Sequence, residues 1–168
     1  EGEASARYFR QALRLAARHH APGLMTANLN NLAVWYTSRA TAWHLGVAYR
    51  LYRVAEHLAR TQGNLVLQGI IANNLGGISR QRNSPEEAVH YYHNSLELSE
   101  RIGRPLAVAI TLYNLAEIRS DYGEYQEARR LLKESLKVSR RLGDRVGKIH
   151  VFGEMGRIYC RLGAWPRP

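Results

Sequence analysis

Packing residues recur along this chain at steps of three and four, and few stretches alternate with a period of two. The segment from Pro85 places Ala88, Tyr91, Tyr92, Ser95, Leu98 and Ile102 on one helical face. The next segment does the same with Ala109, Leu112, Leu115, Ala116 and Ile118. Gly and Pro fall between such runs rather than within them. Ser84-Pro85-Glu86-Glu87 reads as a helix start, with a capping hydroxyl, a proline in the first turn and carboxylates at the positive end of the dipole. Gly103 closes that helix and Pro105 opens another, which stops near Tyr122-Gly123. The same signals predict eight helices, at about 3–19, 23–38, 44–61, 64–81, 85–102, 105–121, 125–141 and 145–161. Connections of a few residues predict antiparallel neighbours.

The pattern also repeats on itself. Leu75-Gly76 falls on Leu115-Ala116 and then on Met155-Gly156, at a spacing of 40 residues. Ala88 falls on Ala128, Ser95 on Ser135, Leu96 on Leu136, and Gly63 on Gly103 and Gly143. A fixed period of this size predicts stacked helix pairs, because one pair cannot bury both of its faces alone.

These residues resemble the tetratricopeptide repeat, whose first helix carries a Leu-Gly pair and whose second carries small, aromatic and small positions. Leu75-Gly76 with Ala88, Tyr92 and Ser95 fits that frame, as do Leu115-Ala116, Tyr122-Gly123, Ala128, Leu132 and Ser135, and then Met155-Gly156, Ile158 and Leu162-Gly163. The 40-residue length is similar to the variant in kinesin light chains, LGN-type polarity adaptors and bacterial regulators. The last group spans Rap-type pheromone receptors, antibiotic-regulatory (SARP-type) transcription factors and related signalling ATPases. The resemblance implies an all-α fold, a right-handed α-solenoid of antiparallel helix pairs forming a TPR-like superhelix. It divides a single domain, 1–168, into a helix B at 1–21, repeats at 22–63, 64–104 and 105–144, and a truncated repeat at 145–168. Trp165-Pro166-Arg167-Pro168 stands where the next helix B would begin. The first full repeat departs from the frame: Ala33 to Ala48 spans 15 residues where Gly76 to Ala88 spans 12, and the extra three are expected in the turn at 38–45.

In this family the first helices of the pairs line a concave groove. Asn31, Asn74 and Asn114 each stand directly before the Leu-Gly step or its equivalent, Asn31 before Leu32-Ala33. An amide both donates and accepts, so it can hold a peptide C=O and N–H together. By resemblance to kinesin light chains and polarity adaptors, these three are expected to clamp a peptide backbone. The alternative is that each amide bonds a neighbouring helix. At the fourth step Glu154 replaces the amide, and a carboxylate there is expected to favour a cationic group. Asn73 with Asn30, and Arg80, Gln81, Glu117, Asp121, Arg157 and Arg161, are expected on the same side as a mixed-charge lining.

Composition alters this picture little. The net charge of +10 comes from 21 arginines and 3 lysines among 168 residues. Clustered cations attract phosphate, but Arg10, Arg14, Arg18, Arg50, Arg53, Arg60, Arg129, Arg130, Arg140 and Arg141 are spread along the sequence without interleaved aromatics, so nucleic acid ranks last among candidate partners. No apolar run approaches the roughly 20 residues that span a membrane. The Glu-Gly-Glu start has no secretion signal, and the chain reads as a piece of a longer cytoplasmic protein. Cys160 is expected at a packing position. His90 and His93, three apart, have no Cys or carboxylate partner at ligand spacing. No phosphate loop or nucleophile motif occurs, so neither a catalytic residue, a metal nor a cofactor is expected.

The expected function is that of a non-catalytic peptide-binding module in a regulatory protein. The second reading is a sensory or autoinhibitory domain of a bacterial regulator, contacting other domains of its own protein, which Arg141-Leu142-Gly143-Asp144 resembles. The third is a basic nucleic-acid surface. Ile149, Phe152 and Ile158 on the last helix are expected to be exposed and to support self-association into a homo-oligomer.

Overall fold

Each helix of this chain is closed by one residue in the left-handed region of backbone space, and those residues set the rhythm of the fold. They are His20, Ala40, Gly63, Asn83, Gly103, Gly123, Gly143 and Gly163. The computed structural model describes residues 2–163, with side chains from residue 4. Over that span it contains α1 (Gly2–Arg18), α2 (Pro22–Thr37), α3 (Ala42–Thr61), α4 (Leu65–Gln81), α5 (Pro85–Arg101), α6 (Pro105–Asp121), α7 (Tyr125–Arg141) and α8 (Arg145–Arg161). The tail at residues 165–168, read from sequence as a replaced helix, lies outside the described residues. No strand occurs among the described residues, and no helix is long and apolar enough to cross a membrane.

The three extra residues fall within 38–45, as expected, but as helix rather than turn. Helix α3 has 20 residues where α4 has 17, and the turn before it is short. The insertion is one more helical turn at the start of α3, carrying Trp43 and His44. Thr41 caps that turn, its hydroxyl accepting from the His44 backbone N–H. A helix absorbs three residues at low cost because 3.6 residues make a turn, so the packing face returns after the insertion.

The chain divides into two compact units, residues 1–98 and 99–168, the division falling within α5. In the first, α2 packs against α1, α3 and α4. Its core joins Ala33, Leu45, Ala48, Tyr52, Ala55 and Ala59 to Ile71, Leu75, Ile78 and Tyr91. Tyr52, Ile71, Leu75 and Ile78 are fully buried, each contributing about 1.5–3 kcal/mol of burial relative to exposure. Gly76 lies against the Tyr92 ring so closely that a Cβ there would stand 2.6 Å from ring carbons. A polar net closes the rim. Tyr49 donates to Glu87 (2.6 Å), Ser79 donates to the other oxygen of the same carboxylate (2.8 Å), and Arg53 donates to the Tyr91 hydroxyl (2.8 Å). Burial pushes the Glu87 carboxyl upward, but the bonds from Tyr49 and Ser79, with the charges of Arg82 and Arg53, outweigh it and hold the group below its ordinary range.

In the second unit, α7 packs against α6 and α8. Its core is Ala109, Leu112, Leu115, Ala116 and Ile118 of α6, Ala128, Leu131, Leu132 and Leu136 of α7, and Val151 and Ile158 of α8. Buried serines recur at one step of both units. Ser95 donates to the Gly69 carbonyl (3.0 Å), and Ser135 to the Ala109 carbonyl (2.7 Å). A small hydroxyl lets two helices approach, and its bond to a carbonyl of the neighbouring helix gives the buried serine its own partner.

Candidate functional site

One concentration of polar chemistry lies in the second unit, on α6 and α8, which contact each other and both pack on α7. Tyr113, Glu117 and Asp121 stand at steps of four on α6, while Glu154, Arg157 and Arg161 stand at steps of three and four on α8. Arg157 donates to Glu117 across the helices (3.0 Å) and also pairs with Glu154 on its own helix. Arg161 donates to the Ser120 carbonyl (3.0 Å), with its other terminal nitrogen 3.9 Å from Asp121. Residues one repeat apart thus form a row of charge bridges. Burial works against the Arg157 charge, but the bond to Glu117 and the charge of Glu154 outweigh it and raise its pKa. Burial, with the Glu117 charge behind it, pushes the Tyr113 phenol up to about 12. The Tyr113 and His150 rings lie 5.8 Å apart.

Beyond that row is a cavity of about 390 Å³. Leu106, Ile110 and Val146, all exposed, stand at its wall with Tyr113, Asn114 and His150, and Ser135 and Ser139 line it from α7. The Ser139 hydroxyl is buried and has no hydrogen-bond partner among the described residues. Asp144 at the α8 cap accepts from the Gly147 N–H (3.0 Å), which orients the first turn of α8 against this wall. An apolar recess flanked by an amide, a hydroxyl and a charge row suits one large side chain of an otherwise polar segment.

In the first unit the amide step works as a joint between helices. Asn74 on α4 donates to the Asn30 side-chain oxygen on α2 (2.9 Å), and Asn30 donates in turn to Asn31 (3.4 Å). Asn30 is buried and Asn31 is exposed. The Asn74 donor therefore serves the neighbouring helix, the alternative that the sequence left open. Asn73 and Arg80 are half-buried and engaged with other groups, and Gln81 is exposed at the last turn of α4. Asn114 and Glu117 also have partners within the protein.

Several expectations need correction. Glu154 is not an open groove carboxylate: it is 3% exposed, and the cationic group it takes is Arg157 of the same helix. Ile158 is buried, because it continues the inward face of Val151 and Glu154, whereas Ile149 and Phe152 are exposed as expected. Cys160 is exposed, since two residues beyond Ile158 the helix has turned away from α7. The arginines are also less scattered than they read. Arg7, Arg10, Arg14 and Arg18 of α1 share one cleft with Trp35, Tyr36, Trp43 and His44. Steps of three and four among those arginines were visible in sequence. The aromatics come from two other helices, α2 and α3, and sequence spacing does not show which helices meet across a cleft. Among the described residues no three His, Cys, Asp or Glu side chains converge as a metal site.

Comparison with known proteins agrees with this architecture. The sequence profile described as "Tetratricopeptide repeat" matches residues 67–141 and 107–167, together more than half of the chain. A crystal structure of BtubC (BKLC) from P. vanneervenii is similar, with a TM-score of 0.69 and 21% sequence identity over 95% of this chain and 74% of that one. That likeness speaks for an all-α helical-repeat solenoid and for the fold alone. No curated protein matches the sequence.

Proposed function

The chain belongs to the tetratricopeptide-repeat family, whose repeats form a non-catalytic fold that generally mediates protein–protein interactions, and from that premise we propose that it captures a peptide segment on the α6–α8 face of its second unit. One observation carries this reading: the 390 Å³ recess, with exposed Leu106, Ile110 and Val146 at its wall, opens beside the charge row of Glu117, Arg157 and Arg161. A large apolar side chain of the ligand enters the recess and leaves water there. Asn114, already engaged within the protein, stands at the wall and borders the ligand backbone there. Asp121 and Arg161, both exposed at the end of the charge row, sort ligands by charge. Asn31, an exposed amide of the first unit that accepts from Asn30, stays outside this site, and Asn74 is assigned to bracing α4 on α2.

The test is selection of random 12-residue peptides displayed against the chain, followed by affinity measurement of the enriched peptides. They should share one large apolar residue beside charged ones. Ile110→Asp should weaken them at least tenfold, and Asn114→Ala by a smaller factor, with helicity unchanged. Enriched peptides that bind Ile110→Asp as well as the parent would reject the reading.

A further inference from the structure

A second surface lies in the first unit and is independent of the α6–α8 face. Arg7, Gln11, Arg14 and Arg18 recur at steps of four, three and four, so they form one row along α1, about 16 Å long at the helical rise. Arg10 borders the row and is held by a hydrogen bond from its Nε to the Ala6 carbonyl (3.2 Å). Across a cleft of about 1200 Å³ stand Trp35 and Tyr36 of α2 and Trp43 and His44 of α3. No carboxylate is among the described residues lining it. Tyr8 and Leu15 of α1 are exposed in the same cleft, and Trp43 is 65% exposed. The first turn of α3, the insertion that breaks the repeat frame, brings Trp43 and His44 to this place.

The shape and chemistry select among occupants. The volume exceeds that of ordinary small-molecule pockets, about 300–1,000 Å³, so an extended ligand fits better than a metabolite. A row of guanidinium groups calls for repeated carboxylates or phosphates. A single strand of nucleic acid needs successive open aromatic faces on which bases stack. Here the aromatics meet edge to face: Trp35 with Tyr36 at 84°, Tyr36 with Trp43 at 70°, and Trp43 with His44 at 86°. The Arg39 guanidinium already covers the Trp35 ring at 3.8 Å. That cluster offers apolar notches rather than a ladder of plates. We propose that the cleft docks an acidic amphipathic helix of a partner protein, with its carboxylates on Arg7, Arg14 and Arg18 and one or two bulky apolar side chains against Trp43 and Tyr36. The heptad-like spacing of the arginines matches carboxylates repeated every three and four residues on such a helix.

The probe is a synthetic 18-residue helical peptide with glutamates at steps of three and four and leucines on the adjoining face. Its controls are a twin with every Glu replaced by Gln, and an 18-residue oligothymidylate. Fluorescence polarisation should show the acidic peptide binding at least tenfold more tightly than the twin. The variant Arg7→Gln/Arg14→Gln/Arg18→Gln should lose at least tenfold in affinity, with circular dichroism unchanged, since Gln matches Arg in helix propensity. Trp43→Ala, on a different helix and largely exposed, should lose affinity as well, and it keeps the test valid if the triple variant unfolds α1. Equal binding of the Gln twin, or undiminished binding by Trp43→Ala, overturns the proposal. So does preference for the oligothymidylate, which would make the cleft a nucleic-acid surface.

Discussion

The two units solve the same problem, joining successive first helices of the repeat, with different chemistry. In the first, α4 meets α2 through uncharged amides, Asn74 donating to Asn30. In the second, α8 meets α6 through charge, Arg157 standing between Glu117 and Glu154. Glu154 occupies the repeat step that Asn74 and Asn114 occupy earlier in the chain. Its carboxylate is ion-paired within the protein, to Arg157, as the Asn74 donor is taken by Asn30. At both ends of the chain, then, this step serves the fold before it serves a ligand. What remains for recognition lies around it, in the recess and the exposed ends of the charge row.

The tightest steric point separates the units most strongly. A Cβ at Gly76 would collide with the Tyr92 ring, whereas at the corresponding steps of the second unit Ala116 is tolerated and Leu132 replaces the tyrosine. Gly76→Ala should therefore cost about 2–3 kcal/mol in urea unfolding. Adding Tyr92→Leu to it should recover part of that loss, a coupling that a double-mutant cycle reads directly. Gly156→Ala, with open space at its Cβ, should gain about 0.5–1 kcal/mol instead. Equal effects at the two glycines would erase the distinction.

The next effect tests charge against amide. Arg157→Ala leaves the buried Glu154 without its cation and should cost about 1–2 kcal/mol, less than for a wholly buried pair because Arg157 is half exposed. Asn74→Ala should cost about 1 kcal/mol. Rising salt should shrink the first loss and leave the second unchanged.

Acid provides a third contrast. The lowered Glu87 pKa in the first unit means that its contribution is complete above its ordinary value of 4.5 and disappears as pH falls through the lower folded value. Stability should fall with acid below about pH 4.5, and Glu87→Gln should flatten that slope. At the alkaline end the sign reverses. Tyr91 and Tyr113 are both raised to about 12, by burial first and then by the charges of Glu56 and Glu117 respectively. Their stabilisation is present below pH 10 and is lost as pH climbs towards 12. Tyrosine absorbance at high pH should show late ionisations in both units, the buried Tyr52 of the first also being raised.

The smallest expected effect concerns the helix ends. Ala40 adopts φ 52° where Gly103 adopts 65°. Ala40→Gly should gain a few tenths to about 1 kcal/mol, and Gly103→Ala should lose a similar amount.

Much of the architecture was legible because it is written in periods. Leu75-Gly76, Leu115-Ala116 and Met155-Gly156 fixed the frame, and Gly63, Gly103 and Gly143 marked helix ends that the structure places within a residue or two. What the sequence hid were choices within a face. Nothing local distinguishes an amide turned to a neighbouring helix from one turned to a ligand, so the Asn74–Asn30 bond was left as one of two alternatives. Glu154 read as open because its cation, Arg157, lies one turn further along the same helix and was counted as lining. The conformation of an insertion is equally hidden: the sequence locates the extra three residues at 38–45, but a longer turn and a longer helix read alike there.

The most direct test of the peptide-capture account is a map of backbone amide shifts when a display-selected peptide is titrated into the isotope-labelled chain. The account predicts the largest shifts at Ile110, Tyr113, Asn114, Val146 and His150, with Asn30 and Asn74 little changed. Shifts centred on Asn30 and Asn74, with the α6–α8 recess silent, would contradict it.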